Sequence, residues 1–298
     1  MNDILKYEVK DRIARITLNR PSKRNALSFD LLSLLHDALW ESDEDRTVHA
    51  VILRGAGPCF SAGYDLTNFG GIKKKTAFGT YRGMRRFDDD AWHLERAQRL
   101  RMAIFDMHKP VIAQVHGHCL AGGTDIALLC DMVIASNDAV LGFPPARDLG
   151  ALPNHMWLYL IGPQWAKRLT LTGDTITGEE AAQIGLVMKA VAIEHLEGEV
   201  EGLAKRLGEI DQDLLSANKR VVNLGLELMG ARTLQRLAAE NDARGHQAES
   251  AENFRRTMKE SGLKKALLER DQKFGDGRAK VVGPELRDEK GVLKDRDS

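Results

Sequence analysis

The sequence predicts a mixed α/β (α+β) fold, and three observations carry that prediction. Pro110 to Val115 reads as a buried strand, followed by a glycine-rich turn, a helix starting near Gly122 and a second apolar strand from Met132 to Ala135. Upstream, the apolar run Ala50 to Leu53 delivers another small-residue turn, FSAGYDL (Phe60 to Leu66). After Val187 the apolar spacing changes to a helical period.

Along the chain, Ile13 to Leu18 is a short β-type run that Arg20-Pro21 brings to an end. Ser28 is placed to cap a helix reaching about Trp40, with Leu31, Leu32, Leu35 and Leu39 on one stripe. The segment Leu66 to Met107 is long for a connection and has two readings. It is a solvated loop entering an amphipathic helix near Trp92 to Phe105, or a lid over a ligand site. In the lid reading the basic run Lys73 to Lys75 and the aromatics Phe78, Tyr81, Phe87 and Trp92 contribute to binding. Thr177-Gly178-Glu179-Glu180 is a capping box opening a short helix. Helices are expected at about His195 to Leu207, Asp213 to Leu228, Thr233 to Arg244 and Glu249 to Glu260. Gly275 to Ser298 is charged and poor in apolar anchors, an extended arm or a disordered tail.

A chain of 298 residues can bury one sizeable core and carry an appended subdomain. Lys+Arg and Asp+Glu both number 43, so no bulk electrostatic attraction to nucleic acid or an anionic membrane is expected. Three cysteines without metal spacing fit a reducing cytoplasm better than a disulfide framework. The N-terminal segment lacks the order of a secretory signal, and Arg296-Asp297-Ser298 is not a peroxisomal address. No apolar run approaches the roughly 18 residues that span a bilayer. The expected location is the cytoplasm.

The chemistry concentrates in the two small-residue turns. A turn that opens a helix leaves backbone N–H groups without partners, and the helix dipole favours negative charge there. Two such turns, each following a strand, can each aim one N–H at a single developing oxyanion. Ala121-Gly122-Gly123 is not a dinucleotide fingerprint, because G-x-G-x-x-G is absent. His116 and His118 face alike in an extended segment, but no further ligand cluster lies near them, so no metal is expected. A histidine there is better suited to lining a pocket. Cys119 has no indicated base partner and is not expected to act as a nucleophile.

The turns resemble the paired signatures of the crotonase superfamily, which includes enoyl-CoA hydratases and isomerases. FSAGYDL is similar to the family's S-A-G-x-D, and KPVIAQVHGHCLAGGTDIALLCD to its second, longer signature. LNRPSKRNALS (Leu18 to Ser28) resembles the acyl-CoA-binding turn, and TGDTITGEEAAQIGLV (Thr172 to Val187) the late core segment. The resemblance runs from about Ile13 to Val191 and implies a spiral of ββα repeats over residues 1–195. A helical oligomerisation region, 196–274, would then build a homotrimer or a dimer of trimers. It also implies an acyl-CoA thioester as ligand, with coenzyme A belonging to the substrate and no separate cofactor. Carried over residue by residue, the oxyanion N–H groups are those of Tyr64 and Gly122. Ala62, Asp65 and Leu66 lie along the adenine and pantetheine path, with Lys23, Arg24 and Ala26 closing it.

Two departures from the family pattern bear on the reaction. The first family glutamate falls on Asp125, which keeps the carboxylate but shortens its reach by roughly 1.5 Å. A misplacement on the order of 1 Å can cost about a hundredfold in rate. The second falls on Pro145, followed by Ala146, and neither transfers a proton. Asp148, further along the same segment, is the substitute acid, with His155 a lesser candidate; Asp148 can equally be a solvated partner of Arg147. Three functions remain open: an enoyl-CoA hydratase using Asp125 and Asp148, a crotonase-fold hydrolase, isomerase or decarboxylase, and an acyl-CoA-binding protein without turnover.

Overall fold

The computed structural model describes residues 3–66, 75–76, 79–80, 86–153 and 156–294. Lys73, Phe78, Tyr81, His155 and the final tripeptide, named above, lie outside the described residues. In chain order the strands are β1 (Leu5–Lys10), β2 (Ile13–Leu18), β3 (Ala50–Gly55), β4 (Lys75–Thr76), β5 (Gly79–Thr80), β6 (Val111–Val115), β7 (His118–Leu120), β8 (Met132–Ser136), β9 (Val140–Gly142), β10 (Thr175–Thr177) and β11 (Lys189–Val191). The helices are α1 (Phe29–Glu44), α2 (Phe87–Asp106), α3 (Gly122–Ala127), α4 (Met156–Thr172), α5 (Gly178–Gln183), α6 (Ile193–Gly208), α7 (Gln212–Leu228), α8 (Ala231–Gly245), α9 (Glu249–Ser261) and α10 (Leu263–Asp271).

Six strands form one sheet in the order β1-β2-β3-β6-β8-β11, parallel throughout except for the β1-β2 hairpin. A smaller sheet, β10-β9-β7, runs beside it, and Ser61 bridges Cys119 at its edge. Two large-sheet strands are followed by a short excursion into the second sheet and then a helix, in β6-β7-α3 and β8-β9-α4. That is the ββα spiral implied by the sequence signatures.

Parallel strands must be covered on both faces, and alternate residues divide between two cores. Ile13, Ile52, Ile112 and Ile134 meet Leu196, Val200 and Ala204 of α6. Residues one step along, such as Val51, Leu53, Ala113 and Val133, enter the main core with Leu31, Leu35 and Leu39 of α1. Ser28 caps α1 as its position predicts, its Oγ accepting from Leu31 N at 3.2 Å. The capping box at Thr177 and Glu180 is formed. Helix α4 has no counterpart in the sequence reading: Gly162 (φ +68°) and Pro163 break it, and its first turns, MWLYLI, are apolar all round and show no helical period.

Helix α7 is fastened by one buried cation. Lys219 Nζ donates to the Ile104 and Lys109 carbonyls, both at 3.0 Å, and to Asp131 Oδ2 at 2.8 Å. Asp131 also accepts from Val111 N at 2.7 Å, so the pair joins α7 to the start of β6. The Asp131 side chain is 19% exposed, so removing Lys219 leaves a partly hydrated charge, at a cost of about 1–3 kcal/mol. Lys219→Met should lower unfolding free energy by that order in a urea titration; a change below about 1 kcal/mol would show the contact to be dispensable.

The C-terminal residues run along the core edge. Thr175 N donates to Gly277 O and Ala279 N to Thr175 O, each at 2.8 Å, while Arg168 holds Glu285 through both carboxylate oxygens. Arg147 anchors the same region by ion pairs to Asp174 and Asp271 and by stacking 4.2 Å from the Phe274 ring centroid.

Candidate active site

The two signature turns are brought together by backbone pairing. Ala62 N donates to Arg24 O at 2.9 Å, Leu27 N to Gly63 O at 2.8 Å and Asp65 N to Leu27 O at 3.1 Å. Leu120 N donates back to Ser61 O at 3.0 Å. Buried Asn25 holds the base of this assembly: its amide donates to the Ala56 and Cys59 carbonyls, and its Oδ1 accepts from Arg20 N. Ser61 Oγ donates to Asn25 O at 2.8 Å and accepts from Gly63 N at 3.2 Å.

This pairing puts residues 64 and 122 side by side. A β-carbon on Gly63 would lie 3.3 Å from Gly122 N, and one on Gly122 would lie 2.9–3.0 Å from Tyr64 Cε1, Cδ1 and Cζ. Gly122 is the first residue of α3, where an N–H has no intrahelical acceptor. Among the described residues, neither its N–H nor that of Tyr64 donates to a backbone carbonyl in a turn or loop. Ala121, which precedes α3, adopts φ +51°, a costly conformation for a residue with a β-carbon.

Asp125 lies one turn into α3 and is fully buried. Its Oδ2 accepts a hydrogen bond from the Tyr64 hydroxyl, which in turn accepts from Arg101; Arg101 Nη1 stands 3.8 Å from the same carboxylate oxygen. Arg101 also donates to Gln98 Oε1, and Gln98 donates to Pro153 O at 3.4 Å. Burial pushes the Asp125 carboxyl up to about 6, although the Arg101 guanidinium and the Tyr64 hydrogen bond hold it down. Burial likewise raises Tyr64 well above the ordinary phenol value, so its hydroxyl keeps its proton and serves as donor.

A second buried polar group adjoins this one. His246 Nδ1 pairs with Asp90 Oδ2 of α2 at 2.7 Å, and its Nε2 stands 3.5 Å from Asp242 Oδ1 of α8. Burial pushes Asp242 up to about 7 against the pull of His246, with the Asp125 and Asp90 charges adding to the rise and Arg101 opposing it. Burial disfavours a charged His246, but the Asp90 hydrogen bond and the Asp242 charge outweigh it and raise its pKa.

The sequence-predicted residues divide. Tyr64, Gly122 and Asp125 meet in one centre. Lys23, Arg24 and Ala26 line the turn paired with Ala62, and Lys23 and Arg24 are exposed. Asp65 is ion-paired to Arg20 at 2.8 Å. Leu66 packs on Leu149, Phe254 and Ala266, against the C-terminal helices. The charges acting on Asp148 are those of Arg270, Asp271, Arg147 and Lys273. Burial is the main cause that raises Asp148 to about 6. His116 Nε2 lies 2.9 Å from Gly57 O, and Cys119 is buried with its thiol pushed far up by burial.

Arg101, Gln98, Asp90, Asp242 and His246 were not singled out from sequence. Each lies on the buried stripe of its helix among small or apolar residues, at 90, 97, 98, 101 and 105 on α2 and at 235, 238, 242 and 246 on α8 and its cap. Polar residues recurring on an inward stripe were the available signal. Of the aromatics in the long segment, Phe87 and Trp92 are 39% and 57% exposed, which excludes them from this centre.

A family model described as enoyl-CoA hydratase/isomerase matches residues 8–261. A crotonyl-CoA hydratase of Syntrophomonas wolfei is 33% identical over 227 residues, covering 74% of this chain and 81% of the relative. A peroxisomal Delta(3,5)-Delta(2,4)-dienoyl-CoA isomerase of Arabidopsis thaliana is 30% identical, covering 81% and 88%. The crystal structure of an enoyl-CoA hydratase from Mycobacterium smegmatis superimposes with a TM-score of 0.84 at 33% identity, covering 92% and 95%.

Proposed function

The chain belongs to the enoyl-CoA hydratase/isomerase family of the crotonase superfamily, and on that premise we propose that it adds water to a 2-enoyl thioester of coenzyme A. The observation that carries this reading is the buried Asp125 carboxylate, held by the Tyr64 hydroxyl where the Tyr64 ring packs on Gly122, with the N–H groups of both residues donating to no backbone carbonyl in a turn or loop among the described residues. The thioester oxygen takes those two N–H groups, each worth about 3 kcal/mol to a developing oxyanion. Asp125 removes a proton from water as the water oxygen bonds to Cβ. The electron pair of the double bond moves onto the thioester oxygen, and Cα is then protonated. Lys23, Arg24, Ala26, Ala62, Asp65 and Leu66 are assigned to the coenzyme A path, with no separate cofactor. The exposed apolar residues of α7, including Val221, Val222 and Leu228, support a homotrimer or a dimer of trimers. The three buried free cysteines accord with a cytoplasmic protein. No helix among the described residues is long and apolar enough to cross a membrane.

A base whose carboxyl titrates at about 6 predicts that kcat/KM for a 2-enoyl-CoA rises through that pH as Asp125 ionises. A profile flat from pH 5 to 7 would remove Asp125 from the role. The stability consequence has the opposite sense. The native group binds its proton more tightly than an unfolded carboxyl near 3.9, so this contribution is full below about pH 4 and declines through about pH 6.

A second reading is favoured by Pro145 and Ala146, which fill the place of the second family acid within a 3-10 turn. It is a hydrolase, isomerase or decarboxylase acting on the same thioester enolate. Incubation with a panel of short, long, branched and ring-bearing 2-enoyl-CoA thioesters separates the two. Loss of the conjugated absorbance with a product heavier by one water supports hydration. Binding without that product rejects it.

A further inference from the structure

We propose that Asp242, delivered by α8, supplies the proton-donating carboxyl that the segment after β9 lacks, and that His246 and Asp90 position it. This rests on the hydratase reading and names its missing partner.

Backbone packing places Asp242 at the segment concerned. The segment from Phe143 to Pro153 carries three prolines, two alanines, an arginine held by Asp174 and Asp271, and an aspartate under the charges of Arg270 and Asp271 of α10. At Gly150 it meets α8 so closely that a β-carbon there would collide with Asp242 Oδ1 and lie 3.1 Å from His246 Cδ2. From the other side, a β-carbon on Gly245 would lie 2.7 Å from Ala151 N. Two glycines therefore let helix and segment interlock backbone to backbone, with a carboxylate at the junction. Any side chain at 150 would occupy the volume that Asp242 fills. The loop gives up its own acid and receives one from the helix.

The surroundings give the two carboxyls different tasks. The charged and titratable groups facing Asp242 are His246 on the cap of α8, Asp90 and Arg101 of α2, and Asp125 of α3; Arg255 of α9 bears on His246. Asp125 has Arg101 and the Tyr64 hydroxyl to stabilise its anion, whereas Asp242 has one imidazole at 3.5 Å and two carboxylates nearby. The guanidinium and hydroxyl beside Asp125 favour its anion and so suit it to the base's part, and the neighbouring carboxylates favour a protonated Asp242, the acid's part. The ionised Asp125 accepts the water proton, and the protonated Asp242 gives its own to Cα as the enolate collapses to the thioester. After one turnover Asp125 carries a proton and Asp242 an anion; exchange with solvent restores both, and no other reactant is consumed. His246 and Asp90 touch no reacting atom, and they act by fixing Asp242 and its charge.

The test is the pH profile of the full-length protein with a 2-enoyl-CoA it turns over. Wild type should lose activity above about pH 7 as Asp242 deprotonates. Asp242→Asn should lower kcat about a hundredfold or more and abolish that alkaline limb, with KM changed only a few-fold. A variant with near-wild-type kcat, or with the limb intact, overturns the proposal. Should Asp242→Asn not fold, His246→Gln decides. Loss of the imidazolium raises the Asp242 carboxyl, so the alkaline limb must move to higher pH; a limb that stays in place overturns the proposal. If wild type hydrates no thioester, the hydratase reading fails by itself. Asp242 is then tested by exchange of Cα protons of a bound saturated acyl-CoA in heavy water. Exchange that is lost in Asp242→Asn upholds the proton-donor role; no exchange in wild type, or equal exchange in both, overturns it.

Discussion

Asp125→Asn should lower kcat for 2-enoyl-CoA hydration by about a thousandfold while leaving the affinity for a saturated acyl-CoA within a few-fold. Asparagine has the shape of aspartate, and its carbonyl oxygen still accepts from the Tyr64 hydroxyl, so the centre keeps its geometry. It cannot accept the water proton. Because the wild-type carboxyl is fully buried and pushed up to about 6, replacing it with a neutral group also removes a buried charge at neutral pH. The variant should accordingly unfold no more easily than wild type at pH 7, and the loss is chemical rather than structural. Steady-state kinetics with isothermal titration of a saturated thioester separate the two quantities. Undiminished turnover would mean that the base is another group. Absence of hydration in both proteins, with binding retained, would reject the hydratase reading and leave the other thioester reactions or a binding role.

Gly122→Val should be nearly as severe through a different physical route. A β-carbon at this position lies 2.9–3.0 Å from three atoms of the Tyr64 ring, so the ring must move. It has little freedom, since its hydroxyl is tied to Asp125 and Arg101 and its backbone follows Gly63, itself packed against Leu120 O and Ala121 Cβ, each 2.8 Å from where a β-carbon at 63 would sit. Displacing the ring therefore shifts the two N–H groups relative to one another. Loss of one oxyanion donor costs about 10²–10³ in kcat, and the substitution should fall in that range with a smaller change in KM. A wild-type kcat would show that residues 64 and 122 do not hold the oxyanion.

Much of the catalytic half was legible because its signals are local. The glycine turn before α3, the small-residue turn at 61–63 and the strands feeding them are contiguous in sequence, and their period and composition announce them. The proposed oxyanion pair and Asp125 lie in those two segments. The partners of Asp125 do not, because they arrive from remote helices: Arg101 is 24 positions away and Asp242 is 117. Their helices were expected, at about Trp92 to Phe105 and Thr233 to Arg244, but a helical period does not say what an inward polar residue meets. The segment after β9 was correctly seen to lack the usual acid. The expectation of Asp148 as the substitute looked along the chain; the charges bearing on Asp148 include Arg270 and Asp271 of α10, and α8 crosses the same segment at Gly150. Only the close approach at Gly150 shows why a glycine stands there.

The most direct test of hydration at this centre is to run the reaction in heavy-oxygen water and locate the label by fragment mass spectrometry. Hydration through Asp125 predicts one solvent oxygen on Cβ of the product in wild type and none with Asp125→Asn over the same interval. Label found instead in a carboxylate released from the thioester, or on a cleaved carbon–carbon fragment, would contradict hydration and assign the enolate to a hydrolytic reaction.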